Sequence, residues 1–163
     1  MNIKTFTMTC GLTVCLLAQP VAAGAIEDGQ AAFDRKDYAL AVRIWRPLAD
    51  QGDAEAQYNI GLSYMSNDLD EAARWYGLAA DQGNAKAQFA LGNIYAVGHG
   101  VPKDLVKAYK WFNLAADSSL ASGTDSPDAA IGNLEIVAVQ MTPEQIAEAL
   151  RLAREWTAAQ FKK

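Results

Sequence analysis

The sequence predicts an all-α fold, a right-handed α-solenoid of antiparallel helix pairs closed by a C-terminal capping helix. The main observation is an internal duplication: residues 72–95 repeat residues 41–64 at an offset of 31, with eleven of 24 positions identical. A unit of this length cannot bury its own apolar face and therefore stacks on its copies. No stretch shows the alternation of apolar and polar residues that is typical of a half-buried strand.

The individual helices follow from apolar residues at helical spacing and from the turn residues between them. Gly52 and Gly83 are expected to end two helices in the left-handed conformation. Thr142, followed by Pro143 and by Gln145 three residues after the threonine, is a strong helix start. The predicted helices cover 26–36, 38–51, 53–66, 69–82, 84–97, 103–118, 129–140 and 143–161, with a loop over 118–128.

Packing roles can be assigned to most of the repeated residues. Gly61 and Gly92 lack a side chain, so a neighbouring helix can approach them closely, which offsets the roughly 1 kcal/mol that glycine costs inside a helix. Gly98 and Gly100 permit a turn with positive φ. The large side chains expected to fill the spaces between helix pairs are Trp45, Tyr64, Trp75, Tyr95 and Trp111.

Residues 1–25 are predicted to be a secretory signal peptide. An apolar segment runs from residue 6 to residue 18, and small residues that suit cleavage follow it. The alternative is a membrane anchor, but about 13 apolar residues are too few to cross roughly 30 Å of hydrocarbon. Cleavage is expected after Ala23 or Ala25, which leaves one domain over 26–161 and a periplasmic or secreted bacterial protein.

The mature chain is expected to be acidic and free of thiols. Both cysteines, Cys10 and Cys15, lie within the predicted signal peptide, which excludes disulfides, thiolate catalysis and cysteine metal sites from the rest. The formal net charge is −5, without a cluster of Lys and Arg. Because phosphate neutralisation underlies nucleic-acid affinity, we expect no nucleic-acid partner. We also expect no membrane span after signal cleavage.

One helix pair carries the full repeat pattern. Its first helix reads Ala85-Lys-Ala-Gln-Phe-Ala-Leu-Gly-Asn-Ile-Tyr95, its turn Gly98-His-Gly-Val101, and its second helix Ala108-Tyr-Lys-Trp-Phe-Asn-Leu-Ala-Ala116. This pattern resembles the Sel-1-like repeats, which are relatives of the tetratricopeptide repeats. The resemblance covers about 39–117 and implies repeats over 39–64, 72–95 and 108–117, followed by capping helices over 129–161. The Gly-x-Gly-Val turn is missing from the first repeat, Ser119 replaces the glycine of the third, and the cysteines frequent in the family are absent.

No set of residues predicts catalysis, a cofactor or a metal site. His99, the only histidine, lies between two glycines and is interpreted as a solvated loop residue rather than a general base or a ligand. Ser118, Ser119 and Ser122 have no nearby base. Three carboxylates follow the repeat period and are therefore interpreted as part of the repeat: Asp50, Asp81 and Asp117.

The positions where the copies differ are the better candidates for binding. In tetratricopeptide-like stacks the first helix of each pair lines the concave face. The candidate partner-binding residues are Glu55, Tyr58, Leu62 and their copies Lys86, Phe89 and Asn93. Tyr58 and Phe89 could anchor a peptide or a helix. The alternative is that both pack on the neighbouring repeat, and the loop around His99 is a second candidate for specificity.

The resemblance favours an exported adaptor or regulator that binds a protein or peptide on its concave face, in the periplasm or envelope. One alternative is a penicillin-binding or β-lactam-hydrolysing enzyme, as proposed for cysteine-rich relatives. The lack of both their disulfides and a nucleophile–base pair disfavours that activity, so we expect no enzyme. The other alternative is a structural subunit of an envelope complex.

Overall fold

The computed structural model describes residues 19–122 and 128–162, with side chains described for 24–118 and 128–162. Within these ranges the chain forms helices and no strands. The helices are α1 (Gln19–Asp34), α2 (Tyr38–Asp50), α3 (Ala54–Tyr64), α4 (Leu69–Ala80), α5 (Ala85–Val97), α6 (Leu105–Ser122), α7 (Asp128–Ala138) and α8 (Pro143–Gln160). No described helix is long and apolar enough to cross a membrane.

The helices stack in order along the chain. α1 and α2, α3 and α4, and α5 and α6 pack as pairs, and each second helix also packs on the first helix of the next pair. α7 continues this order by packing on α6, whereas α8 also packs on α6 and does not form a pair with α7. The predicted all-α solenoid of helix pairs is confirmed.

Most helices begin with a side chain that caps the backbone. Each capping oxygen accepts a hydrogen bond from the backbone N–H three residues later, which satisfies a donor that the helix leaves free. The predicted start of α8 is confirmed, because Thr142 and Gln145 form a reciprocal capping box. The capping residues are Asp37, Asp53, Asp68, Asn84, Asp104 and Thr142.

In each helix pair, a glycine of the first helix faces an aromatic ring of the second helix. A Cβ atom placed on Gly61 would lie 2.7 Å from the ring of Tyr76, and one placed on Gly92 would lie 2.6 Å from Phe112. The close approach predicted for these two glycines is therefore confirmed. Tyr76 and Phe112 were not predicted to make this contact, because the packing role was assigned to the tryptophan that precedes each of them.

The first pair uses the same arrangement. A Cβ atom on Gly29 would lie 2.2 Å from the indole of Trp45, which also donates a hydrogen bond of 3.2 Å to the carbonyl of Ile26. Trp45, Tyr76 and Phe112 occupy one position of the repeat, since they are 31 and 36 residues apart, like the copies around them. The ring and the glycine are thus one packing unit that recurs in every pair.

Two buried glutamines connect consecutive helices. Gln57 donates to the carbonyl of Ala49 at 2.9 Å, and its copy Gln88 donates to the carbonyl of Ala80 at 3.2 Å. Each glutamine oxygen also accepts a hydrogen bond, at 2.6 Å from Gln82 in the turn after α4 and at 3.0 Å from Ser118 on α6. The nitrogen and the oxygen of both glutamine amides therefore have hydrogen-bond partners, as is usual for buried polar groups.

Two predicted boundaries differ from the structure. α1 is helical from Gln19, the first described residue, and therefore extends before the predicted start at 26, because the alanine-rich stretch has a high helix propensity. α1 thus spans both expected cleavage positions. α6 continues to Ser122, so the prediction of a loop was wrong over 118–122, and residues 123–127 of that predicted loop lie outside the described residues. The sequence contains no glycine or proline there before Gly123 to end the helix.

Two leucines at the same repeat position differ in burial. Leu78 is 48% exposed, whereas Leu114 is only 3% exposed. Leu114 lies on α6, which α8 covers, and α8 has no counterpart over α4. The difference arises from the capping helix and not from the repeat itself. The large aromatic residues Trp45, Trp75 and Trp111 are buried as predicted.

Candidate binding groove

The first helices of successive pairs line one face of the molecule, and an apolar cavity of about 520 Å³ opens on this face. α3 and α5 form its walls, and α4 contributes Leu69 from its first residue and Tyr76 from its second half. α7 closes one end through Ala129 and Ala130. We call this surface the groove.

Five of the six candidate residues border this cavity, and the sixth lies beside it. The five are Tyr58, Leu62, Lys86, Phe89 and Asn93. Glu55 lines a more polar hollow that continues toward α1, where Glu27 and Gln30 lie, and Tyr58, Leu62 and Lys86 border both spaces. Helical spacing explains this grouping, since residues three, four and seven apart share a helix face.

Aromatic rings form the floor of the cavity. The ring centroids of Tyr58 and Tyr76 are 5.6 Å apart, and those of Phe89 and Phe112 are 5.7 Å apart. Tyr58 and Phe89 are half-buried. Each ring packs on a ring of the following helix and also lines the cavity, and the anchoring of a partner by these rings stays a prediction. Their orientation is fixed before any partner arrives.

Tyr76 lies beneath this floor and is 1% exposed. Burial raises the pKa of its phenol well above the ordinary value, and the neighbouring Tyr58 raises the pKa further. Since even an unperturbed tyrosine is neutral at physiological pH, the phenol in the floor of the cavity carries no charge.

Exposed apolar side chains border the cavity at the ends of α3 and α5. Met65 is 42% exposed and Val97 is 58% exposed. Sequence reasoning did not include these two residues, although the same helix face extended by one turn would have reached them. Exposed apolar groups that adjoin an apolar cavity are typical of an interaction surface. A methionine also adapts its shape to different partners.

The loop after α5 forms another part of the cavity wall. Gly98 and Gly100 have φ values of +82° and +74°, which confirms the predicted turn. A Cβ atom on Gly100 would lie within 2.6 Å of Leu69, so the loop packs tightly against the start of α4. His99 is exposed and lines the cavity. The two candidate locations for specificity, the groove and the His99 loop, therefore border the same space.

Charged side chains around the groove are available to a partner. Glu27, Glu55 and Lys86 are exposed, and within the described chain none of them forms an ion pair or a hydrogen bond. No group of three or more His, Asp or Glu residues in the described ranges could hold a metal ion. What the groove offers is an apolar cavity with single charges at its margin, which suits the binding of an apolar side chain.

The sequence of this helical stack matches a known family of repeats. The model of the Sel1 repeat matches residues 23–53, 54–84 and 85–120, more than half of the chain. The chain belongs to the Sel1 repeat family. The resemblance seen in the sequence is thereby confirmed. Each match spans one helix pair, α1–α2, α3–α4 or α5–α6, whereas the division made from the sequence joined each second helix to the following first helix.

Two solved Sel1-repeat structures are similar to the chain. One is c5321, a protective antigen present in uropathogenic Escherichia coli strains that displays an SLR fold, with a TM-score of 0.72 and 29% identity over 83% of this chain and 29% of that one. The other is a Sel1 repeat protein from Oxalobacter formigenes, with a TM-score of 0.60 and 28% identity over 80% of this chain and 55% of that one. The chain spans less than two thirds of either protein. No match was found among curated proteins.

Membership of this family gives the general class of function. Sel1 repeat proteins generally mediate protein–protein interactions, and their fold is an interaction scaffold that is not typically enzymatic. A scaffold of this kind presents side chains from rigid helices on an extended surface.

Proposed function

We propose that this Sel1 repeat protein is an adaptor or regulator of the bacterial periplasm or envelope that binds a protein or peptide in the groove. The observation that carries the proposal is the apolar cavity of about 520 Å³ between α3 and α5, bordered by the exposed side chains of Met65 and Val97. Export is supported by the signal-peptide character of residues 1–25. An acidic chain without a basic cluster supports a protein partner rather than a nucleic acid.

Binding in the groove follows from burial of an apolar side chain of the partner. Removal of apolar surface from water contributes roughly 25 cal/mol per Å². The six candidate residues of the groove lie on α3 and α5, and the rings of Tyr58 and Phe89 are already held by Tyr76 and Phe112. Little side-chain entropy is therefore lost when a partner docks, which leaves more of the burial energy as affinity.

The partner can be identified by site-specific photo-cross-linking. A photoreactive amino acid at Asn93 lies on the cavity wall, and one at Leu78 lies on an exposed position away from the cavity. In envelope extract we expect a discrete cross-linked protein from position 93 and none of that protein from position 78. Cross-linking of one protein from both positions, or from 78 alone, would contradict the groove as the binding surface.

A further inference from the structure

The charges along the groove are distributed unequally. Glu27 on α1 and Glu55 on the first turn of α3 lie at one end, in the polar hollow that continues the cavity. Lys86 lies between the hollow and the cavity, and His99 lies at the cavity wall. The copies of the repeat thus carry opposite charges at one position, glutamate on α3 and lysine on α5.

The two glutamates contrast with carboxylates that already have structural partners. Glu27 and Glu55 form no ion pair or hydrogen bond within the described ranges, and both side chains are exposed. A partner that covers them must supply compensating positive charge, because an unpaired carboxylate is costly to remove from water. Carboxylates that cap a helix or join an ion pair elsewhere are Asp37, Asp50, Asp53, Asp68, Asp104, Glu71, Glu148 and Glu155.

From this distribution we infer that the groove takes a protein segment with one apolar anchor and a basic group beside it. The anchor occupies the cavity, and a Lys or Arg of the partner lies over Glu27 and Glu55. The inference rests on the proposed function, because it specifies the partner of the same groove. The chain as a whole is acidic, with a formal net charge of −5, so long-range attraction also favours a basic segment.

The distance between Glu55 and the cavity along α3 sets the spacing between the basic residue and the apolar anchor of the partner. Glu55 and Leu62 are seven residues apart on this helix, which corresponds to about 10 Å at 1.5 Å per residue. In an extended partner, with about 3.3 Å per residue, the basic residue stands about three positions from the anchor. In a helical partner it stands about seven positions away, on the same face.

Selection from a phage-displayed library of random peptides, about 12 residues long to include the helical spacing, tests this inference. Immobilised protein is the bait, and enriched peptides are titrated by fluorescence anisotropy. We expect enriched peptides to combine an aromatic or large aliphatic residue with Lys or Arg at one of the two spacings. Glu55→Gln with Glu27→Gln should weaken their binding on the order of fivefold, as for charges at a solvent-exposed rim.

The matched control is Glu135→Gln on α7, an exposed carboxylate outside the hollow, which should leave binding unchanged. Raising the salt concentration should weaken wild-type binding and should have less effect on the double variant. Charge reversal by Glu55→Lys should weaken binding more than neutralisation does. Circular dichroism confirms that each variant is folded.

The outcomes separate the two proposals. Peptides that bind through the cavity but lack basic residues, or that keep full affinity for the Glu27→Gln, Glu55→Gln protein, would overturn the inference and leave the groove intact. Peptides that bind Val97→Asp as tightly as the wild type would show that the groove is not the binding surface and would overturn the proposed function. A selection that enriches no peptide would also contradict the proposed function.

Discussion

At the scale of single residues, the contact between a glycine and an aromatic ring determines how closely the helices of a pair approach. The sequence indicated Gly61 and Gly92 because they recur at the repeat period. It did not indicate Tyr76 and Phe112, because the packing role was assigned to the tryptophan that precedes each of them. Which of two adjacent rings points at a glycine depends on the rotation of the second helix, and this rotation is fixed by tertiary packing.

Alanine at these glycines tests the packing. Gly61→Ala and Gly92→Ala should destabilise the protein by about 1–3 kcal/mol, because the new methyl group overlaps a buried ring. Gly132 on α7 is the matched control, since a Cβ atom there meets nothing within 4 Å. Gly132→Ala should stabilise the protein by up to about 1 kcal/mol through helix propensity. Urea unfolding measures all three, and equal effects would contradict this role of the ring.

Tyr76 predicts a dependence of stability on alkaline pH. Its pKa in the folded state is raised by burial, while in the unfolded state it is near the ordinary value of about 10. The folded state therefore retains a proton that the unfolded state loses. This contribution to stability is complete below about pH 10 and is lost as the pH rises above that value.

Tyr76→Phe removes the titrating group and keeps the ring that faces Gly61. Unfolding free energies measured between neutral pH and about pH 11 should fall less steeply for this variant than for the wild type. Tyr38→Phe, at a tyrosine that is less buried, serves as the control and should retain the wild-type slope. Identical slopes for all three proteins would contradict the burial of the phenol as the cause.

At the scale of helices, the periodic apolar residues and the turn residues between them predicted each of the described helices. The main errors concern two helix ends. The start of α1 and the end of α6 were missed because local propensity extends both helices beyond the repeated sequence. The exposed Leu78 and the buried Leu114 have the same repeat position, so only the placement of α8 distinguishes them. Sequence periodicity contains no information about a helix that lies outside the period.

The buried glutamines provide a test of how consecutive helices are connected. Gln88 is fully buried, donates to the carbonyl of Ala80 and accepts from Ser118. Gln88→Leu should destabilise the protein by about 1–3 kcal/mol, because both partners lose their hydrogen bond. Gln51→Leu is the control, since Gln51 is exposed and bonds only within its own helix, and it should change stability by less than about 0.5 kcal/mol. Thermal unfolding distinguishes these results, and a neutral Gln88→Leu would refute a structural role for the bond.

At the scale of the whole molecule, the stack converts helix faces into one continuous groove. Five of the six candidate residues border a single cavity because the repeat places equivalent positions of α3 and α5 side by side. The closure of the cavity by α7 was not predictable, since it depends on a segment that breaks the repeat, and the loop around His99 was predicted only as a candidate separate from the groove. The sequence thus indicated the residues of the groove walls but not the shape of the space between them.

The central claim is that this groove binds a protein partner, and titration of the cross-linked partner against surface variants tests it most directly. Val97→Asp places a charge on the exposed border of the cavity, and Leu78→Asp places the same charge on a similarly exposed aliphatic residue elsewhere. Calorimetry should show at least about a tenfold loss of affinity, or 1.4 kcal/mol, for Val97→Asp and wild-type affinity for Leu78→Asp. Wild-type affinity of a folded Val97→Asp protein, or an equal loss in both variants, would contradict the account.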